Sequence, residues 1–387
     1  CLFLGFFLAE PLRKAEVETV SEYLSKYYGP KVGLCVSMFT SLAIFVHIIG
    51  QTLSSMAILC SIFNVGAFAA ALITIFLIIS YIFFGGFLGT SIVGIIKTFL
   101  LYITLLSSGF YIFKYFGGMN GIQVAFDKSS WLNLFSDGIL NGFAQGFTLV
   151  VGVSSTQTYL QAIFAGKTEK HSKKGAYISA LLIPPIGLAC TLIGMYMVKS
   201  FPGIDAKEAL PLYILKNLNP IFGGMALAAL IISVVGTGSG LILGICTMIN
   251  KDIYMRYVNP KADDKTQLKN LRMLIVAICA LNLIVVFTNL DSLILKWGFL
   301  SMALRGTTVF IPLIGAIYFR DKISSKGVLT SIVISPIVTI LFEVFKTINV
   351  DSLYVGMICN IIIIFLFSLF ASKKEKLIIF SKNGNGK

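Results

Sequence analysis

Ten long apolar segments constrain the fold of this chain more than any other feature of its sequence. An α-helix needs about 20 mostly apolar residues to cross a bilayer, and these segments meet that length. They are 31–63, 65–85, 89–114, 135–163, 175–199, 220–250, 272–289, 293–318, 327–346 and 353–371. A shorter apolar stretch, 1–9, resembles the end of one more helix. The sequence therefore predicts an all-α membrane protein, a polytopic helical bundle of ten full spans plus an N-terminal partial helix.

The low charge content excludes a soluble fold. Only 12% of the 387 residues are charged, against roughly 25% in an ordinary soluble domain, which leaves too few charges to cover a hydrated surface. We expect one transmembrane domain over residues 1–371 and a short tail over 372–387.

The basic residues predict the orientation of the bundle. The chain has 31 Lys and Arg against 17 Asp and Glu, a net charge of +14. Alternate crossings of the ten segments place 22 of the basic residues on one side and 6 on the other. Because cytoplasmic loops carry the excess of Lys and Arg, we expect a multi-pass protein of the cell membrane whose charged loops and C-terminus are cytoplasmic. The charge then reflects topology and lipid contact, and no nucleic-acid partner is expected.

The residues that carry metal or acid–base chemistry are scarce. The chain has two histidines, and its seven cysteines are scattered through apolar segments without a Cys-x-x-Cys pair. Carboxylates are almost absent from the spans. We therefore expect no catalytic residues, no organic cofactor, no metal beyond a transported ion, and no enzymatic activity.

Segment 135–163 changes abruptly from apolar to polar residues after Gly152, where Ser155, Thr156 and Gln157 follow. Solute sites in transporters are often built where a spanning helix is interrupted and exposes backbone dipoles. The alternative is that the hydroxyl groups bond back to their own helix. We interpret these three residues as candidate solute contacts.

Small and hydroxyl residues interrupt segment 220–250 near its middle. Ser233 and Thr237 lie one helical turn apart, with Gly236 beside them. Two oxygens on one helix face can help to bind a hard cation, whereas small residues alone favour close helix packing. Both interpretations remain open at this point.

Charged and polar residues inside the other spans need a specific explanation, because they are unfavourable in hydrocarbon. Arg305 lies deep in segment 293–318 and is expected to pair with an anion, either a carboxylate of the protein or the solute. His47 and Gln51 share one face of segment 31–63 and suit either a solute contact or a hydrogen bond between helices. Lys97 is interpreted as reaching the inner membrane surface.

Five short motifs, in the same order as in the family, resemble the sodium:solute symporter family. They are a polar helix ending in Tyr-Tyr-Gly at 18–29, Tyr-x-x-x-Gly-Gly at 81–86, a Gln…Lys segment at 161–167, Leu-Pro at 210–211 and Asp-Ile-Tyr at 252–254. The resemblance implies a leucine-transporter-like inverted-repeat fold. It also implies that the first core helix would precede Cys1.

The same resemblance implies sodium as the coupling ion, bound at positions 233, 236 and 237. The chain departs from the family pattern at two ion-linked positions. Gly236 stands where the family has a serine, and Val93-Gly94 stands where it has Thr-Asp. A third departure is Ala162, which stands where the family has an arginine.

We therefore expect a secondary active transporter that moves a small polar or anionic organic solute with sodium by alternating access. The expected sodium-binding residues are Ser233, Gly236 and Thr237, and the expected solute-binding residues are Gln51, Ser155, Thr156, Gln157 and Arg305. The alternatives are a sodium-independent or proton-coupled transporter and a non-transporting solute sensor of the same fold. The expected partners are the solute, sodium and membrane lipid, with no obligate protein partner.

Overall fold

A computed structural model describes residues 1–126, 133, 135, 138–290, 294–319, 322–345 and 350–370, without the side chains of 84–92 and 140–141. Over those residues the chain is helical and forms no strand. The elements in chain order are π1 (Leu4–Leu8), α1 (Ala9–Lys14), α2 (Val20–Tyr28), α3 (Pro30–Phe63), α4 (Ala67–Tyr115), α5 (Gly118–Ala125), α6 (Ile139–Ser154), α7 (Gln157–Phe164), α8 (Glu169–Ser200), α9 (Ala209–Asn217), α10 (Pro220–Met248), π2 (Ile249–Val258), α11 (Asp264–Phe287), α12 (Ile294–Arg305), π3 (Gly306–Phe310), α13 (Ile311–Tyr318), α14 (Ser325–Val344) and α15 (Ser352–Phe370). The predicted tail, 372–387, lies outside the described residues.

The predicted spans are found as helices. Within the described part of the chain, 8 helices are long and apolar enough to cross a membrane. Two shorter apolar helices, Ala67–Phe83 and Gly142–Ser154, lie in the remaining predicted segments, 65–85 and 135–163. Many large apolar side chains on these helices face outward, which is expected when the surrounding solvent is lipid.

Segments 65–85 and 89–114 differ from expectation, because they join into the single helix α4. The glycines at 85 and 86 weaken helix formation by about 1 kcal/mol each but do not remove a backbone hydrogen bond as a proline would. The helix therefore continues through them, and its second half carries Lys97.

Helix α3 lies at the centre of the bundle and packs against α2, α4, α10, α11, α12 and α14. Its buried face includes Ile44, Ile48 and Ile49. The short helix α2 is amphipathic and buries Val20, Tyr23 and Leu24 in a cluster with Val32 and Val36, near the start of α3. These contacts fix the polar residues of α3 relative to α10 and α12.

One span is interrupted inside the bundle, and another changes its helical type without a break. Segment 135–163 leaves the helix at Ser155 and Thr156, between α6 and α7, which confirms the predicted interruption. In segment 293–318, α12 ends at Arg305 and the chain continues as the π-helical segment π3. Interruptions of this kind leave backbone groups without helical partners and are frequent at functional sites.

Ion pairs connect α1 to α8 outside the apolar spans. The Glu10 carboxylate lies 2.7 Å from Lys14 Nζ and 2.5 Å from Lys173 Nζ. Hydrogen bonds from Lys14 and then Lys173 lower the pKa of Glu10 from 4.5 to about 2. Because the pKa is depressed in the folded state, the stabilisation is complete above about pH 4.5 and is lost as the pH falls towards 2. The ion pairs between α1 and α8 therefore remain charged over the physiological pH range.

Candidate functional site

The Arg305 side chain lies in the interior of the bundle, at the last residue of α12. It is 1% exposed and is among the largest fully buried side chains of the described residues. A charged guanidinium taken out of water is unfavourable unless its hydrogen bonds and its charge are both satisfied. The surroundings of Arg305 therefore define the first candidate site.

The hydrogen bonds of Arg305 are made to neutral groups on three elements. Nη1 donates to Thr156 Oγ1 at 2.8 Å, and Nε donates to the Ser301 carbonyl at 3.1 Å. Nη2 lies 3.0 Å from His47 Nδ1. Among the described residues, no carboxylate forms an ion pair with Arg305. The predicted anionic partner is thus not supplied by this part of the chain.

The contact with Arg305 determines which ring nitrogen of His47 carries the proton. A guanidinium can only donate, so Nδ1 of His47 must accept and the neutral imidazole carries its proton on Nε2. Nε2 lies 3.1 Å from Gln51 Nε2. Two donors cannot bond to each other, so this tautomer requires the Gln51 amide turned by about 180°, with its oxygen towards the His47 proton. His47 thereby joins Gln51 to Arg305 in one polar chain across α3 and α12.

Ser155 and Thr156 lie at the interruption between α6 and α7, beside Arg305. Thr156 Oγ1 donates to the Gly152 carbonyl at 2.6 Å, which leaves its lone pairs free to accept from Arg305. The Ser155 hydroxyl is fully buried and has no hydrogen-bond partner within the described residues. A buried hydroxyl without a partner costs about 1–3 kcal/mol, which a polar ligand at this position would offset.

Two glycines allow the helices to approach each other closely at this point. A Cβ atom at Gly152 would lie 2.7 Å from Met302 Cβ, and one at Gly306 would lie 2.5 Å from Val151 Cγ1. Both distances are too short for real contacts between carbon atoms. Any larger residue would push α12 away from α6 and separate Arg305 from Thr156.

The structure places Gln157 away from this cluster. Its Oε1 accepts from the Val20 N–H at 2.9 Å, and its Nε2 donates to the Glu18 carbonyl at 3.1 Å. Both partners belong to the start of α2. The structure thus brings Gln51, Thr156 and Arg305 together with His47, while the Gln157 amide is engaged by the backbone.

We expect Gln157→Ala to destabilise the protein by about 1–3 kcal/mol, because it leaves a buried N–H and a carbonyl without partners. Thermal unfolding in detergent measures this loss, and the order of preference among transported solutes should not change. Gln161→Ala, one turn further along α7, is the matched control and should have little effect. A changed solute preference in Gln157→Ala would restore Gln157 as a solute contact.

The predicted ion-binding residues lie on the continuous helix α10. Thr237 Oγ1 donates to the Ser233 carbonyl at 2.8 Å, so these two groups bond to each other. A Cβ atom at Gly236 would lie 3.5 Å from Lys97 Nζ and 3.6 Å from Tyr81 Oη. The Lys97 ammonium therefore lies beside the middle of α10, and the interpretation that it reaches the inner membrane surface is wrong.

The α10 residues adjoin the Arg305 cluster. A Cβ atom at Gly238 would lie 3.8 Å from Gln51 Cβ. Helix α10 therefore packs directly against the part of α3 that carries Gln51, which His47 connects to Arg305. His47 makes the hydrogen bond between helices that was one of its two predicted roles. Lys97 is the residue that sequence reasoning did not place here; the available signal was its position one turn after Gly94, at which the chain departs from the family.

A break in a membrane helix beside a buried polar cluster is typical of membrane transporters. The chain belongs to the sodium:solute symporter family, which it matches over residues 1–335. This is a family of transporters, and the protein is a multi-pass membrane protein rather than an enzyme.

Sequence identity to individual proteins is low, but the alignments cover most of this chain. The chain is 23% identical to High-affinity choline transporter 1 of Drosophila melanogaster, covering 86% of this chain and 56% of that protein. It is 22% identical to Urea-proton symporter DUR3 of Oryza sativa subsp. japonica, covering 81% of this chain and 48% of that protein. The chain thus spans about half the length of these curated relatives.

A solved structure confirms the predicted leucine-transporter-like fold. The structure of a Na⁺-coupled sialic acid symporter, in a substrate-bound outward-open state, superimposes with a TM-score of 0.72 at 17% sequence identity. The match covers 95% of this chain and 81% of that chain. At this identity the match establishes the fold alone.

Proposed function

We propose that the protein is a secondary active transporter that moves a small organic solute with an anionic group by alternating access. The observation that carries this proposal is the buried Arg305, whose described partners are all neutral. Family membership supports the transport step, and the chemistry of the cluster supports the class of solute.

The guanidinium is suited to a carboxylate. It is planar and always charged, and it binds two oxygens of one anion at once. An isolated buried cation is unfavourable, so an anion that reaches it would be bound strongly and would have few competitors among neutral solutes.

The neighbouring groups would hold the rest of the solute. The Ser155 hydroxyl, which has no hydrogen-bond partner among the described residues, can donate to or accept from a solute, and the Thr156 hydroxyl lies 2.8 Å from Arg305 Nη1. Gln51 provides a further amide at the other end of the polar chain. We propose Arg305, Thr156, Ser155 and Gln51 as the solute site, and we leave Gln157 outside it.

We propose the Ser233, Gly236 and Thr237 stretch of α10 as the site of the coupling cation. Sodium is the cation that the family name and the sialic acid symporter suggest. A rice relative is named as a urea–proton symporter, so the cation named for these proteins varies. Sodium-independent transport is the second candidate, and it is favoured by the position of Lys97 beside Gly236.

We also propose the orientation predicted from the basic residues, in the cell membrane with the Lys- and Arg-rich loops and the C-terminal tail cytoplasmic. Labelling of single cysteines in the charged loop around Lys261 with a membrane-impermeant reagent tests this in intact cells. No labelling until the cells are opened is expected, and labelling from outside would reverse the orientation.

An uptake screen tests the proposed function. Proteoliposomes that contain the full-length protein would be offered radiolabelled lactate, glutamate, sialic acid, urea and choline, each in sodium and in potassium buffer. We expect accumulation of at least one carboxylate and no accumulation of choline. Binding without accumulation would indicate a sensor, and preferential uptake of choline or urea would contradict the anionic solute class.

A further inference from the structure

The cation site proposed on α10 already has a positive charge beside it. We propose that the Lys97 ammonium occupies the place of the coupling ion, so that this protein needs no bound sodium for transport. The inference rests on the proposed function and selects, of its two candidates for the ion, sodium-independent transport. Its basis is the packing of α4 against α10.

The Lys97 ammonium lies against the middle of α10. A Cβ atom at Gly236 would lie 3.5 Å from Lys97 Nζ. Gly236 is sixteen residues after Pro220, at which α10 begins, and twelve before Met248, at which it ends. The tip of Lys97 is therefore directed to the interior of the span.

The Lys97 charge is not used in an ion pair with any carboxylate of the described residues. Tyr81 Oη lies 3.6 Å from the same position at Gly236, so the groups around the ammonium include a hydroxyl oxygen. Neutral oxygens of this kind also bind alkali cations. An ammonium and a sodium ion compete for the same surroundings, because both are compact, strongly hydrated cations.

The α10 oxygens themselves offer little to a free sodium ion. Thr237 donates its proton to the Ser233 carbonyl at 2.8 Å, and Gly236 has no side-chain oxygen. A Cβ atom at Gly236 would be in ordinary van der Waals contact with the Lys97 tip, so a longer side chain there would compete with the ammonium for the same space. Residues 97 and 236 are therefore complementary, with the long cationic side chain opposite the smallest residue.

Electrostatic repulsion from Lys97 also opposes the binding of sodium at this place. A second unit charge placed about 4 Å from the first weakens its own binding by about 1000-fold at the effective dielectric of a partly buried site. Sodium would have to displace the Lys97 ammonium before it could use the α10 oxygens.

A tethered cation in this place would act on the solute site as a bound ion would. Gly238, two residues after Gly236, adjoins Gln51, which leads through His47 to Arg305. Lys97 extends from α4 to α10 beside this chain of residues. The role of Lys97 is to set the cation requirement of transport, whereas Arg305 contacts the solute.

Binding of radioactive sodium tests the proposal directly. The purified full-length protein would be assayed with ²²Na⁺ by scintillation proximity, as wild type, as Lys97→Met and as the double variant Lys97→Met with Gly236→Ser. Wild type should bind no saturable sodium below about 100 mM, and the double variant should bind at least about 10-fold more. Lys114→Met, an exposed lysine on the same helix, should behave as wild type.

The outcomes separate this inference from the proposed function. Saturable sodium binding by wild type equal to that of the double variant would overturn the role of Lys97. So would a double variant that elutes as a single folded species and still binds no sodium. Neither readout requires a solute, so failure of solute uptake would contradict the proposed function and leave the sodium result intact.

Discussion

Replacement of Arg305 by glutamine should lower kcat/KM for an anionic solute by about 100-fold or more. Truncation of one partner in a buried charge pair costs about 2–5 kcal/mol, and every 1.4 kcal/mol is a tenfold change. Glutamine can still hydrogen-bond to Thr156 but carries no charge. Initial rates of uptake in proteoliposomes measure the effect, with the amount of folded protein determined in parallel.

Two further variants show whether the charge or the shape of Arg305 matters. Arg305→Lys keeps the charge but loses the bidentate geometry, so we expect an intermediate loss. Arg256→Gln changes an exposed arginine in π2 and should transport normally. Equal uptake of the anionic solute by wild type and Arg305→Gln would remove Arg305 from the solute site.

The second large effect is expected from Gly152→Val. A Cβ atom at this position would already lie 2.7 Å from Met302 Cβ, and valine adds two more carbons. Helix α12 would have to move away from α6, which would separate Arg305 from Thr156. We expect a destabilisation of about 1–3 kcal/mol and loss of most uptake, measured by thermal unfolding and transport of the same preparation.

Gly146→Val is the matched control for this change. Gly146 belongs to the same helix, and nothing lies within 4 Å of the position that its Cβ would take. Because both substitutions put valine on α6, their shared effect on helix propensity cancels in the comparison. Equal stability and transport in the two variants would show that close packing at Gly152 is unimportant.

The sequence predicted the spans and the interruption at Ser155 because these depend on local composition. Apolar length fixes where a helix can cross lipid, and the change to Gly, Ser and Thr marks where it stops. Arg305 could also be recognised from its depth in an apolar segment. These signals need no knowledge of which helices are neighbours.

The remaining parts of the site depend on tertiary packing and could not be predicted in this way. The sequence could not show that Gln157 bonds to the backbone at the start of α2, 137 residues earlier at Val20. It could not show that Lys97 meets Gly236 across two helices, because a lysine near the end of a span also fits an orientation towards the surface. The sequence predicted two separate helices at 65–85 and 89–114, whereas they form the single helix α4. The two glycines between them weaken a helix but do not end it.

The most direct test of the central claim is a structure of the full-length protein with a transported carboxylate bound. We predict that the carboxylate lies about 3 Å from the Arg305 guanidinium and beside the Ser155 hydroxyl, at the interruption between α6 and α7. A solute bound elsewhere, with Arg305 paired instead to a carboxylate of the protein, would contradict the claim that Arg305 binds the solute.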